Sequence, residues 1–383
     1  MKSIFMSAGE VSGDHYIARI AGAFRDKGFD GRIYGMCGSE SRDAGVEAAW
    51  RNDGLHVVGI SEAARSLGGI IRLMREIREN ILATRPDVLV VADSPDFHLP
   101  LIKSVREKGY GGKIFYISPP SVWAWRKYRV KSLIKFVDVC YPLFAFEHEY
   151  LKRARCDTRW IGHPLTEEFL NRVGKRDKVT GDIKGPCTPR EGETVVALLP
   201  GSRKSEIKHL YPVLSEVYRS LEERGVKAVF SVASGLSGST REMFLKNLTE
   251  ADQRYYEGPG RDIMDVSDAV AGSSGTATAE ALLLRRYMIV LYKVNPLSFV
   301  VGSLLLKGVK FAIPNLLAGE YFYPELIQGK ATAANALREI RAWLDMSKAE
   351  RGERTEKMNE LVKMMGRPGV CDFWADEILG VLG

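Results

Sequence analysis

Twice along the chain a short aliphatic run stops at a glycine-bearing turn and passes into a stretch of helical period. The first is "SIFMSAGEVSGDH" from Ser3; the second is "TVVALLPGSRKSEIKHL" from Thr194. A strand that feeds a helix returns by a crossover, and crossovers give parallel strands with both sheet faces covered. Further apolar runs follow each start: "RIYGM", "DVLVVAD" and "KIFYIS" after the first, "AVFSVAS", "DAVAGSSGTATAEALLL" and "YMIVLYK" after the second. The predicted fold class is therefore α/β, with two Rossmann-like domains facing one another across a cleft. In such sheets ligands bind at the carboxyl ends of the strands.

A length of 383 residues agrees with two domains of ordinary size. Between the two starts, "NRVGKRDKVTGDIKGPCTPREGE" (Asn171–Glu193) is rich in charge, Gly and Pro and reads as a connection. The expected boundaries are 1–170 for the first domain, 194–345 for the second, and 346–383 for a closing helical segment.

A net charge of +7 favours anionic partners: nucleic acid, phosphorylated ligands or an anionic membrane surface. That charge is not gathered in one basic tail, which argues against nucleic acid. Five cysteines are odd in number and scattered, so neither a disulfide framework nor a zinc site is indicated. No H-E-x-x-H or other metal signature occurs, and the expectation is no metal. The amino end is too short in apolar residues for a secretion signal. The most apolar run, Pro296–Leu306, falls short of the ~20 residues of a spanning helix. The expectation is a cytoplasmic protein that meets a membrane, if at all, from the side.

The turns carry the chemistry. In "AVAGSSGTATAEA" a strand ends in Ser274 and Gly275 and a helix begins near Thr276, where small residues and free N–H groups suit an anion. Glu280 lies one turn on, along the same face. Two readings stay open: a nucleotide diphosphate site with Glu280 on ribose, or a tight turn with a solvated carboxylate. In "LLPGSRKSE", Gly201 permits the turn and Arg203 leaves it with a fork of donors suited to phosphate. In "DVLVVADSPDFHLP" a strand ends in Asp93 and Asp96 with His98 beyond. Asp96 reads either as a general base or as a helix N-cap. Glu10, Ser12 and Asp14 of "AGEVSGD" share that ambiguity. Leu67, Ile70, Ile71, Met74 and Ile77 form a helical stripe flanked by Arg72, Arg75 and Arg78. It reads either as core or as a docking surface for an anionic bilayer.

Taken together, "AGEVSGD", "SPDFH", "SPPSVWAWRKYR", "IGHPL", "LLPGSRKSEI", "SSGTATAEALL", "YKVNP" and "PNLLAGEYFYPELIQ" resemble the lipid-A-disaccharide synthase family from residue 3 to about residue 330. The resemblance implies a GT-B glycosyltransferase. Such an enzyme joins UDP-2,3-diacylglucosamine to 2,3-diacylglucosamine 1-phosphate through a β-1′,6 linkage, with inversion and without a cofactor. It implies peripheral association with the cytoplasmic face of the inner membrane. It also implies a homodimer that exchanges its carboxyl-terminal parts, or a terminal segment that packs back on the first domain.

By position, the resemblance makes Asp96 the base and puts Arg203 on the diphosphate. Ser274, Gly275, Thr276, Glu280 and Asn315 become donor-binding residues. Glu10, Ser12, Trp123 and Arg126 line the acceptor side. This chain departs from many relatives in having His98 in place of Asn, and a second proline in "SPPSVWAW". The first departure bears on how Asp96 is oriented, the second on the path of the loop. The rival readings are another enzyme, either a UDP-N-acetylglucosamine 2-epimerase-like protein or a transferase for a different lipid-linked acceptor, and a non-catalytic, basic protein that binds a membrane surface or nucleic acid.

Overall fold

The computed structural model describes residues 1–51, 60–170, 176–186, 188–190, 192–233, 235–236, 238–293 and 310–382, with backbone alone for 60–67, 170 and 176–178. The chain divides into two compact units, Met1–Glu167 with Met365–Gly383, and Glu168–Met364.

Unit 1 is built on six parallel strands: β1 (Ser3–Ala8), β2 (Arg32–Cys37), β3 (Glu47–Arg51), β4 (Val88–Ala92), β5 (Lys113–Ile117) and β6 (Val139–Tyr141). Their order across the sheet is β3-β2-β1-β4-β5-β6. All five residues of β4 are buried, as a central strand covered on both faces requires. Alternate residues serve opposite cores. Ile4, Met6, Val88 and Val90 pack with Ile17, Ile20 and Phe24 of the helix Val11–Asp26. Phe5, Leu89 and Val91 pack with Ile77 and Ile81 of the helix Ile60–Thr84.

That second core decides most of the stripe. Ile77 is fully buried, while Ile70 and Met74 pack partly against the same cluster, so these residues cover the sheet and do not form a free docking face. Ile71, on the other flank, is 65% exposed. The side chain of Leu67, and the apolar run Pro296–Leu306, lie outside the described residues. No helix among the described residues is long and apolar enough to cross a membrane.

Unit 2 repeats the plan with β7 (Val195–Leu199), β8 (Lys227–Val232), β9 (Tyr255–Glu257), β10 (Ala269–Ser273), β11 (Met288–Tyr292) and β12 (Glu325–Ile327). The order is β12-β11-β10-β7-β8-β9, again all parallel. Counted within each unit, both sheets read 3-2-1-4-5-6. The direction of winding reverses between the first and fourth strands, the place where doubly wound sheets bind ligands at the carboxyl ends of their strands.

The closing segment is divided between the units. The helix Lys348–Lys363 belongs to unit 2, whereas Val370–Gly380 packs on Val11–Asp26 and places Trp374 and Ile378 in the unit 1 core. The "IGHPL" motif receives the returning chain. His163 donates its N–H to Met365 O at 2.8 Å, and Arg367 donates to Ile161 O at 2.9 Å. A Cβ on Gly366 would lie 2.4 Å from the Gly162 Cα, so the two backbones meet only because both residues are glycine.

Candidate functional site

In unit 1 the switch point lies between β1 and β4, which end side by side at Ala8 and Ala92. The chain leaves β4 through two left-handed residues, Asp93 (φ 53°) and Ser94 (φ 42°), before the helix Pro95–Glu107 begins. Left-handed backbone costs a non-glycine residue on the order of 1–3 kcal/mol and persists only where neighbours enforce it. Here the neighbours are identifiable. The carbonyl of Asp93 accepts from His98 Nδ1 at 2.8 Å and from the Tyr116 hydroxyl at 2.7 Å. Because Nδ1 faces a carbonyl it carries the proton, and Nε2 then accepts from Ser7 Oγ at 2.8 Å. His98 is fully buried, and burial lowers its pKa to about 4. It is a neutral strut for the turn. The sequence reading tied His98 to the orientation of Asp96; the bonds go instead to Ser7 and the Asp93 backbone, because the ring points into the sheet.

The Asp93 carboxyl is enclosed in the same turn. Oδ1 accepts from Gly9 N at 3.2 Å, while Oδ2 is buried without a hydrogen-bond partner among the described residues. Burial raises its pKa to about 7, and the charge of Glu10 adds to the rise. Gly13 makes room for it, since a Cβ there would lie 2.0 Å from Oδ2.

Asp96 behaves otherwise. It sits in the first helical turn, not at the cap position, which Ser94 occupies, and its side chain is 71% exposed. This removes the N-cap reading. Arg126 Nη1 donates to its Oδ1 at 2.6 Å, and Arg129 Nη2 donates to the same oxygen. Both guanidinium groups come from the end of "SPPSVWAWRKYR". Arg126 lies over the Trp125 ring at 4.2 Å, and Arg129 is 6.0 Å from the same ring. The other tryptophan anchors the loop. Trp123 Nε1 donates to Glu147 Oε1 at 3.0 Å, Leu143 N donates to Glu147 Oε2 at 3.3 Å, and the Trp123 ring meets Phe146 edge-on. Burial raises the Glu147 pKa. Pro119 and Pro120 are both buried.

Glu10 occupies the N-cap position of Val11–Asp26, with Ser12 in its first turn, both half-buried. Asp14 is turned to the segment that follows β2. It is 4% exposed, and its carboxylate accepts from Gly38 N at 2.6 Å and Glu40 N at 3.1 Å, tying down the helix Ser39–Asp43.

In unit 2 the switch point lies between β7 and β10, which approach so closely that a Cβ on Gly272 would lie 2.2 Å from Leu199 O. Gly201 (φ 110°) turns the chain out of β7. Glu206 then reaches back to Ser202 N at 3.0 Å and Arg203 N at 3.3 Å, so the turn is closed by a carboxylate of the helix Lys204–Glu222. Arg203 holds the N-cap position and is exposed. Beyond β10, Ser274 is half-buried, Gly275 (φ 118°, ψ −151°) is the N-cap, and Thr276 opens the helix Thr276–Leu283. Both Gly275 and Thr276 are exposed, and Glu280 lies half-buried one turn on. Thr278 fastens the turn by donating Oγ1–H to Gly275 O at 2.8 Å.

Asn315 is placed differently from the sequence reading. It is completely buried, its amide donates to Tyr323 O and Glu325 Oε1 at 2.8 Å each, and its carbonyl accepts from Tyr323 N at 2.7 Å. With its donors engaged inside the unit, Asn315 ties the helix Ile313–Ala318 to β12 and does not offer donors to a ligand. Sequence reasoning also missed Glu147, which lies 24 residues from its tryptophan and belongs to no motif. The pairing of Ser7 with His98, 91 residues apart, was equally invisible.

Comparison with known proteins bears on this arrangement. A family model described as lipid-A-disaccharide synthetase matches residues 4–375. A lipid-A-disaccharide synthase from Syntrophus aciditrophicus is 34% identical over 377 residues, covering 97% of this chain and 95% of the relative. Among solved structures, a putative UDP-N-acetylglucosamine 2-epimerase from Listeria monocytogenes superposes with a TM-score of 0.61 at 13% identity, covering 99% of this chain and 94% of that one. The calicheamicin glycosyltransferase CalG4 gives 0.58 at 11%, covering 100% and 98%. Likeness at such identities concerns the fold alone, and that fold is the two-domain GT-B architecture.

Proposed function

The chain belongs to the lipid-A-disaccharide synthetase family, UDP-sugar glycosyltransferases of lipid A biosynthesis, and from that premise we propose how its two crevices share the reaction. Unit 2 takes the donor, UDP-2,3-diacylglucosamine. The exposed turn at Ser274, Gly275 and Thr276 offers N–H groups to the diphosphate, Arg203 adds a cation, and Glu280 accepts from ribose hydroxyls. Unit 1 takes the acceptor, 2,3-diacylglucosamine 1-phosphate, with Glu10, Ser12, Trp123 and Arg126 around it.

Asp96 accepts the proton of the acceptor's 6-hydroxyl as that oxygen attacks the anomeric carbon of the donor. The bond to the β-phosphate oxygen breaks, its electron pair leaves with UDP, and attack from the opposite face inverts the configuration. Arg203 and the helix terminus answer the charge that grows on the leaving group, which is the work a metal does elsewhere. Asn315 is a positioning residue in this scheme.

The observation that carries the reading is Asp96 itself: an exposed carboxylate at a switch point, held through one oxygen only by the bonds described. Both substrates carry acyl chains worth ~0.8 kcal/mol per buried methylene. They stay in the bilayer, so the protein works peripherally at the cytoplasmic face of the inner membrane.

A mass-resolved assay with both substrates and a chelator tests the scheme. Wild type should yield disaccharide 1-phosphate and UDP, and Asp96→Ala almost none. Consumption of the donor by epimerisation, without acceptor, would instead establish the epimerase-like rival.

A further inference from the structure

Two guanidinium groups converge on a single carboxylate oxygen at Asp96, and the three partners differ sharply in exposure. The Arg129 side chain is 9% exposed and that of Arg126 is 36%, against 71% for Asp96. The cations are the fixed part of this cluster. Arg126 stacks on Trp125 from a left-handed backbone position (φ 48°), and its loop is latched through Trp123 to Glu147. The anion is the most exposed of the three. Two positive charges answered by one negative charge leave the cluster a net +1. Side by side, two guanidinium forks suit a phosphate monoester better than a lone carboxylate, because each can give paired hydrogen bonds to phosphate oxygens.

We propose that Arg126 and Arg129 form the subsite for the acceptor's phosphate, and that Asp96 is their resident counter-ion, released to act as base only when that phosphate takes its place. This rests on the assignment of unit 1 to a sugar 1-phosphate acceptor. The chemistry of such an acceptor makes one cluster sufficient: C1, which bears the phosphate, and C5, which bears the 6-hydroxymethyl group, both flank the ring oxygen. A phosphate seated on the arginines therefore brings the 6-hydroxyl toward the carboxylate it displaces. The arrangement also protects the donor. Without acceptor, Asp96 stays engaged with two cations and does not activate water. Such activation would cleave the donor to free sugar and UDP, with the water proton passing to the carboxylate.

The test uses the full-length protein, the UDP-sugar donor, and two acceptors, diacylglucosamine 1-phosphate and the same sugar lacking the phosphate. Three rates are measured: disaccharide formation with each acceptor, and UDP release from donor alone. For wild type, kcat/KM should favour the phosphorylated acceptor by on the order of 30-fold or more, the range for loss of charge-assisted hydrogen bonds. Inorganic phosphate added in trans should saturably raise the rate with the unphosphorylated acceptor. Arg126→Gln should lose most of the preference for the phosphate, lose activation by inorganic phosphate, and release UDP from donor alone faster than wild type. Arg126→Lys should retain part of the preference. Arg129→Lys provides a second variant at the buried position, with unfolding midpoints checking that both proteins fold.

Equal use of both acceptors by wild type, or an equal loss on both in Arg126→Gln, would overturn the proposal while leaving the transferase reading intact. Absence of disaccharide from wild type with either acceptor would overturn that reading itself.

Discussion

The two units share one strand order and one switch-point geometry, yet furnish it with opposite chemistry. After β1 and β4 the turns of unit 1 carry Glu10, Asp93 and Asp96, braced by a buried neutral histidine and two arginines. After β7 and β10 the turns of unit 2 carry glycine, serine and threonine, with one exposed arginine. Topology fixes where a ligand can sit. The residues at four turns make that place acidic in unit 1, and small and uncharged beside one cation in unit 2.

The sharpest break in the comparison is a pair of substitutions read two ways. Asp96→Asn should lower kcat by ~10²–10⁴ and leave UDP affinity, measured by calorimetry, within twofold. Arg203→Ala should lower kcat by ~10²–10³, the loss seen when an oxyanion donor is removed, and should weaken UDP binding as well. If Asp96→Asn weakens UDP binding as much as Arg203→Ala does, the division of labour between the units is wrong.

A second experiment separates the ways in which the two crevices need glycine. In unit 2, Gly201 is required by its backbone angle, and a Cβ would also lie 2.2 Å from Glu206 Oε2. In unit 1, Gly13 is required by space, 2.0 Å from Asp93 Oδ2. Each alanine variant should cost about 1–3 kcal/mol in urea unfolding. Adding Asp93→Ala should recover much of the Gly13→Ala loss, whereas Glu206→Ala should not rescue Gly201→Ala. Rescue of both would mean that crowding, not conformation, governs the unit 2 turn.

The smallest effect is a pH slope confined to unit 1. The fold holds the Asp93 pKa at about 7, above its ordinary 3.8, so it favours the protonated form. That contribution is complete below the ordinary value and is lost as pH rises through about 7. His98 runs the other way: held neutral with its pKa near 4, it contributes fully above 6.5 and loses that contribution as pH falls. Between those limits the two slopes oppose, each at most about 1.4 kcal/mol per pH unit. Near pH 7 the His98 contribution is already complete, and of these two groups only Asp93 still titrates. Asp93→Asn should therefore flatten the decline in urea midpoint between pH 6 and pH 8. An unchanged slope would place the titrating group elsewhere.

The α/β class and the places of Asp96, Arg203 and Gly275 at turns beyond strands were legible because apolar runs ending at glycine, proline or an acid are local signals. The arginine helix was less so. Its stripe has the same period whether it faces lipid or a sheet, and only the burial of Ile77 and Ile81 decided between them. Asn315 sits in a family motif and looks like a ligand contact, but Tyr323 and Glu325 engage its amide. The places of Trp123 and Trp125 in the loop depend on Glu147 and on the arginine pair at Asp96, and the loop contains neither carboxylate.

Local pattern alone determined the parallel strands, the turns that end them and the kinds of side chain those turns present, because strand period and glycine conformation are properties of a few consecutive residues. Tertiary structure alone decided which side chains meet. The Ser7–His98–Asp93 brace, the Arg126–Asp96–Arg129 cluster, the Gly162–Gly366 crossing and the seat of the last helix each join segments far apart in the chain. Contacts of that kind arise from sheet order and close packing, which no short stretch of residues encodes.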